Sequence, residues 1–318
     1  MPSQFLSSSE SYTPLADRGT IVAKLKVLRW MAVSLLPLLL LTPFAYAGDT
    51  AYVAEIQKWR DEFDKDVRTG GWLELIGRLQ LEEGGTTLGS DSDSTMILPS
   101  QAPKRLGTVT RQAGVFKFEP ADGIEAIVDD HAVAGVTVLS TVSGSGRVKV
   151  GTYGFAVRAI GDDFYLLVRD SQNPAIANFK GTTWFPIGAT YRVPARFTAY
   201  EHPEQVPTPL THVESKQLFT STGDVTFKWA GKTIRLKSFI DDDQLFVMFQ
   251  DPTNGKQTYG GGRFLHAPMP KDGQTVLDFN KAFNPYCSVN TYVMCPIPPP
   301  ENRLEVKIAA GEKYDGHE

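Results

Sequence analysis

The chain has 318 residues, a formal net charge of −4 and 42% hydrophobic residues, which is enough apolar content to bury one large β core or two smaller ones. Its mildly acidic balance, without clustered Lys and Arg, excludes a nucleic-acid partner, because releasing phosphate counterions requires such clusters.

At the N-terminal end, Lys24, Lys26 and Arg29 precede the apolar run Trp30–Leu41, and Ala45 and Ala47 follow in small-x-small spacing. A basic region, a short apolar run and a small-residue site together read as a secretory signal peptide. The run contains Pro37 and falls short of the ~20 residues of a spanning helix. Cleavage after Ala47 is therefore expected, with no stable membrane span afterwards and a periplasmic or secreted location. No cysteine stands at the cleavage point for lipid attachment. Residues 1–47, including the polar extension Met1–Thr20, carry four basic and two acidic side chains, so the mature chain has 271 residues and a formal charge of −6.

Residues 48–71 read as one amphipathic helix. Asp49 is a candidate N-cap, and Tyr52, Ile56, Trp59, Phe63 and Val67 recur at spacings of four and three, on one helical face, before Gly70-Gly71. Lys58, Arg60, Asp61, Glu62, Asp64, Lys65 and Asp66 are expected on the solvated side.

From residue 72 to 318 the period changes. Leu73, Leu75, Leu79 and Leu81 alternate as in a half-buried strand. A polar loop, Glu82–Pro103, holds one short apolar run at Met96–Leu98. Strand-like runs then follow, punctuated by the hairpin signals Gly161-Asp162-Asp163, Ala230-Gly231 and Asp241-Asp242-Asp243. The expected fold is mostly β, an antiparallel sandwich or barrel-like sheets with an N-terminal amphipathic helix. The three prolines of His202–Leu210 mark either a linker between two β subdomains or a long surface loop. The segment around Gly89 is faintly similar to the forkhead-associated sandwich. Ser90 stands where that fold's phosphothreonine site has arginine, and its Ser-x-x-His pair is missing, so phosphopeptide binding is not expected.

The stretch Tyr259–Arg303 is unlike the rest, with three consecutive glycines, both cysteines and a proline run. Gly260, Gly261 and Gly262 permit either an anion-binding backbone turn or a close strand crossing. No Walker lysine and serine follow them, so no nucleotide cofactor is expected. Strand alternation places Arg263 beside Leu265, and Asp278 beside Asn280, so that Arg263 and Asp278 are candidates to meet across neighbouring strands. That pair is either a structural ion pair or a site in which the guanidinium clamps a carboxylate or phosphate and Asp278 acts as base. His266 is a candidate proton shuttle. No metal-ligand spacing involves any histidine, so no metal is expected, and no Gly-x-Ser-x-Gly elbow supplies a nucleophile. The amides of Asn280, Asn284 and Asn302 are candidate ligand contacts. Cys287 and Cys295, eight positions apart in an exported chain, read as a disulfide closing a small loop, worth roughly 2–3 kcal/mol. The segment from Arg303 to Lys313 alternates like a final strand.

The motifs "TYGGGRFL", "LDFNKAFNPYC", "CPIPPPENRL" and "AGEKY", with the upstream "GWLELIGRLQLEEG" and "LGSDSD", resemble those of the bacterial and archaeal family known as domain of unknown function 1684, over roughly Thr50–Tyr314. The resemblance implies a shared β architecture without naming a reaction. It marks Gly260, Gly261, Gly262, Arg263, Asp278, Asn280, Asn284, Cys287, Cys295, Pro296 and Asn302 as motif positions. The functional expectation is an exported protein that binds a small polar or anionic ligand through Gly260, Gly261, Gly262, Arg263, Asn280, Asn284 and Asn302. The alternative is a hydrolase-like enzyme with Asp278 or His266 as base and Arg263 as anion stabiliser.

Overall fold

The computed structural model describes residues 47–142 and 144–316. Helix α1 (Ala47–Thr69) leads into a chain that is mostly β. Eleven strands follow: β1 (Leu75–Gln80), β2 (Gly84–Gly89), β3 (Met96–Ile97), β4 (Gly107–Gln112), β5 (Val115–Pro120), β6 (Ala126–Val128), β7 (His131–Val133), β8 (Thr137–Leu139), β9 (Val148–Val150), β10 (Tyr153–Ile160) and β11 (Asp163–Asp170). They form two sheets, in the orders β1-β11-β10-β9-β6-β7 and β3-β2-β4-β5-β8. Between them lies one apolar core that includes Leu88, Leu106, Val109, Phe116, Phe118, Phe155 and Leu166. Strand β2 lies inside the stretch expected as a polar loop. Its Gly-Gly-Thr-Thr-Leu-Gly sequence has no apolar alternation, yet Thr86 and Leu88 turn inward and the strand pairs with β4.

After the short helix α2 (Pro174–Asn178), strands β12 (Arg192–Pro209), β13 (Lys216–Trp229), β14 (Lys232–Asp241), β15 (Gln244–Phe249), β16 (Arg263–Pro268) and β17 (Gln274–Asp278) build the third sheet. Its order is β16-β15-β14-β13-β12-β17. The two edge strands, β16 and β17, are consecutive in the chain, so the sheet curls into a nearly closed barrel. Alternate side chains point inward, and Val193, Ala195, Val225, Phe227, Leu236, Val247, Phe249, Leu265 and Leu277 fill it.

The stretch 202–210, expected as a linker or long surface loop, is instead the second half of β12 up to Pro209. Its prolines are tolerated because β12 is flanked by both β17 and β13 only over Ala195–Arg196. Over Glu204–Thr208 it pairs with β13 alone, which leaves one side free of ladder bonds until the Pro209 carbonyl accepts from the Ile297 amide. The two-sheet sandwich and the third sheet divide earlier, between Asp170 and Arg192.

On the outer face of β14–β16 sits an aromatic layer. Phe239, Phe246, Met248 and Phe264 pack against Phe63 and Val67 of α1, against Leu75 of β1 and against Phe283, Cys287 and Cys295. This layer joins the helix, the sandwich and the barrel. Three of the charged residues expected on the solvated side of α1 instead face the protein. Arg60 is buried over the Trp184 ring, Asp64 accepts from the Thr182 amide and hydroxyl, and Asp66 accepts from Trp72 and Tyr286. Among the described residues, no helix is long and apolar enough to cross a membrane.

Candidate functional site

The glycine turn is a crossing point. A Cβ on Gly262, whose φ is +104°, would lie 2.7 Å from the Pro298 ring and 2.8 Å from the Phe249 carbonyl. Only glycine fits there. Gly261 lies against the ring of its own neighbour Tyr259, and Gly260 has open space around it. The turn brings Arg263 directly under the loop that starts at Asp251.

Arg263 is wholly buried and does not meet Asp278. Its guanidinium pairs with Asp251 at 3.0 Å, donates to the Ile308 carbonyl at 2.8 Å and to the Ala310 carbonyl, and lies over the Phe249 ring. Alternation put Arg263 on the correct face but left its neighbour open. β16 pairs with β15, where Arg263 is opposite Phe249, and Asp251 stands two residues further on. β17 pairs with β12 on the other side, with Asp278 opposite Arg192.

The carbonyls that Arg263 caps also explain the last segment. Residues 303–313 do not form the expected strand. Isolated bridges hold the segment at Arg303 and Glu312, and the guanidinium satisfies two of the carbonyls between them.

Asp278 caps the one-turn helix Phe279–Lys281 and accepts from the Asn280 amide at 3.1 Å. The Tyr52 hydroxyl of α1 donates to its carboxylate at 2.8 Å and accepts from the Asn280 side chain at 2.8 Å. Burial first, and then the bond to Asp278, pushes the Tyr52 hydroxyl above the usual phenol range. Asn280 also closes both ends of the Gly188 peptide, accepting from its N–H and donating to its carbonyl, each at 2.9 Å.

His266 is in a third place. It pairs with Asp241 at 3.0 Å and stacks between Phe246 and Phe283. The remaining amides serve backbone groups. Asn284 accepts from Tyr259 N and donates to the Lys313 carbonyl, and Asn302 accepts from Lys237 N and donates to the Lys237 and Met248 carbonyls. Arg263, Asp278 and His266 thus belong to three separate networks. Among the described residues no three His, Cys, Asp or Glu groups are arranged to hold a metal.

The cysteines are neighbours but not a disulfide. Both are free and buried, and the Cys287 amide donates to Cys295 Sγ at 3.2 Å. The eight-residue spacing brings the two residues together without bringing the sulfurs to bonding distance.

Two features escaped the sequence reading. Glu312 is 3% exposed and accepts from Asn284 N at 2.7 Å. Burial pushes its carboxyl up to about 8, although Asn284 and the Arg263 charge act in the opposite direction. The second is an open groove of about 500 Å³ on the outer face of the third sheet, lined by Pro194, Arg196, Thr226, Lys228, Thr233 and Gln274 over the backbone of Val193, Ala195 and Phe227. Pairing register sets Arg196 beside Thr226 on one side and Gln274 on the other, with Lys228 beside Thr233. Among the described residues the Arg196 guanidinium has no ion-pair or hydrogen-bond partner. The only trace of this row in the sequence is polar residues at alternate strand positions, the same pattern that any solvated sheet face produces.

No curated protein matches the chain. Among solved structures, an uncharacterized protein of Haloarcula marismortui determined by solution NMR is 32% identical; the match covers 44% of this chain and 79% of that one, with a TM-score of 0.38. The FhaA FHA domain, solved in complex with the intracellular domain of Rv3910, is 18% identical over 30% of this chain and 96% of that one, with a TM-score of 0.22. The model of a family described as proteins of unknown function, DUF1684, matches residues 177–313. Those residues hold the third sheet and the C-terminal loops, a narrower span than the motifs suggested. With that match and the sequence identity to the archaeal relative, the chain belongs to the DUF1684 family.

Proposed function

We propose that the protein is an exported binding module for a small anionic ligand, seated in the groove on the outer face of the third sheet. The observation that carries this reading is Arg196. It is an exposed guanidinium without a protein partner, held at the centre of a strand-built row between Gln274 and Thr226, with the Lys228 ammonium one row away. A guanidinium in that setting offers a planar fork to a carboxylate or phosphate, and the ammonium adds a point charge.

The groove is preferred to the C-terminal loops because the polar groups of those loops are already engaged, apart from the buried Arg263 Nε. Arg263, Asn280, Asn284 and Asn302 bond backbone groups and buried carboxylates, so a ligand there would have to displace structural bonds. The hydrolase-like alternative has no support in the geometry, since Arg263, Asp278 and His266 do not face a common space. Export rests on the segment from Lys24 to Ala47, most of which lies outside the described residues. Helix α1 starts at Ala47, so cleavage there would leave the folded body intact.

Thermal-shift titration with inorganic phosphate, a small dicarboxylate and a neutral sugar tests the ligand. Either anion should stabilise the protein by about 2.7 kcal/mol at a hundredfold excess over its Kd. Arg196→Ala should abolish that shift, and the sugar should give none. A flat response to both anions, or an unchanged response in Arg196→Ala, sinks the reading. N-terminal sequencing of the protein recovered from a periplasmic fraction tests export, with Gly48 expected as the first residue. Recovery of the uncleaved chain from the cytoplasm alone argues against it.

A further inference from the structure

Cys287 and Cys295 are the two thiols of the chain. They lie at the two ends of a loop whose tip, Thr291 and Tyr292, is exposed, while both sulfurs sit in the aromatic layer between α1 and the third sheet. Three contacts hold them together. The Cys287 amide donates to Cys295 Sγ at 3.2 Å, the two thiols hydrogen-bond each other, and Thr211 accepts from the Cys295 amide at 3.0 Å while its hydroxyl also reaches the Cys287 thiol. The Tyr259 hydroxyl is a further hydrogen-bond partner of the Cys287 thiol.

We propose that Cys287 and Cys295 are a reversible dithiol–disulfide pair, oxidised by a small peroxide and reopened by a dithiol reductant. The thiolate of one of the two attacks one peroxide oxygen, breaking the O–O bond and releasing hydroxide or an alkoxide, and becomes a sulfenic acid. The neighbouring sulfur then attacks the oxidised one, the S–O bond breaks and water leaves, so that two thiols and one hydrogen peroxide give one disulfide and two waters. A dithiol reductant returns both hydrogens.

The hydrogen bond from Cys295, opposed by burial and helped by Thr211 and Tyr259, holds the Cys287 thiol below its ordinary value. Burial and the neighbouring Cys287 push the Cys295 thiol up. Burial admits a small peroxide better than a protein oxidant, and the neighbouring sulfur intercepts the sulfenic acid before further oxygen is added. The pairing does not depend on the ligand groove, which lies on another part of the sheet.

The test is hydrogen peroxide titration of the reduced, folded full-length protein, quenched by alkylation under denaturing conditions and read by intact mass. Wild type is expected to lose both alkylatable thiols and two hydrogens of mass, and dithiothreitol is expected to restore both. Cys295→Ser and Cys287→Ser, each left with one thiol, should instead gain oxygen at the remaining sulfur and form no internal bridge. Wild type that retains both thiols, or that gains oxygen atoms without forming the bridge, overturns the proposal. Because that decision is made on the wild-type protein, it stands even where a serine variant fails to fold.

Discussion

The guanidinium of Arg263 and the carboxylate of Asp251 form an ion pair at 3.0 Å with both side chains fully excluded from solvent. The pair is the hub of the C-terminal region. Asp251 also accepts from the Ile308 amide and the Thr253 hydroxyl, and Arg263 caps the Ile308 and Ala310 carbonyls. Removing one partner leaves an uncompensated buried charge, which costs about 3–5 kcal/mol. Arg263→Met and Asp251→Asn should each lower the unfolding free energy by that amount in urea titrations. Amide exchange should show residues 303–313 released first. Losses below about 1 kcal/mol, the range of an exposed pair, would mean that the hub carries little stability.

The three consecutive glycines are predicted to be unequal. Ala at Gly262 meets the Phe249 carbonyl and the Pro298 ring at under 3 Å in a left-handed conformation, and neither backbone nor proline ring can yield freely. Gly262→Ala should therefore destabilise by at least ~2 kcal/mol. At Gly260 the nearest atom to an added Cβ is the Gly255 Cα, 3.9 Å away, so Gly260→Ala should stay within ~0.5 kcal/mol of wild type. Equal midpoints for the two variants in thermal unfolding would contradict the crossing-point role.

Much of the architecture was legible because it depends on local rules. The spacing of Ile56, Phe63 and Val67 marks the buried face of α1, and the turn residues 161–162, 230–231 and 242–243 join β10 to β11, β13 to β14 and β14 to β15. What was not legible depends on which strands become neighbours. Alternation says that Arg263 faces one side of β16, but its partner follows from β16 pairing with β15. The alternation of residues 303–313 is genuine, yet among the described residues it is paired only by isolated bridges at Arg303 and Glu312, and an arginine satisfies carbonyls between them. Prolines argue against a central strand, but β12 carries three of them, Pro203, Pro207 and Pro209, along its one-sided half. The amides of Asn280, Asn284 and Asn302 sit in unusual loops because those loops have many unpaired backbone groups to satisfy, which in sequence looks the same as a site.

Tyr52 ties α1 to the barrel through one hydroxyl that donates to Asp278 and accepts from Asn280. Tyr52→Phe removes that oxygen and leaves two buried polar groups, Asp278 and Asn280, each one hydrogen bond poorer, at a cost of about 1–3 kcal/mol. The loss should appear as faster amide exchange at the start of α1 and around Asn280, with the sandwich sheets unchanged. A uniform change in exchange, or none, would show that the helix is docked by its apolar face alone.

Glu312 should make the protein lose stability as the pH rises. Its folded-state carboxyl titrates at about 8 against an ordinary value of 4.5, so between those limits the folded state holds a proton that the unfolded state has released. The stabilisation is fully present below the ordinary value and is lost as the pH rises through the folded one, with a slope of up to about 1.4 kcal/mol per pH unit. Burial is the first cause and the Asp64 charge adds to it, whereas Asn284 and Arg263 oppose it. Glu312→Gln keeps an acceptor for the Asn284 amide and removes the titration. Urea unfolding at about pH 5 and about pH 8 should therefore show a fall for wild type and a flatter response for Glu312→Gln. His212, which burial and Arg78 shift downward, is present in both proteins and cancels in that comparison. Identical pH slopes for the two proteins would mean that Glu312 is ionised in the fold, with the Arg263 charge and the Asn284 amide outweighing burial.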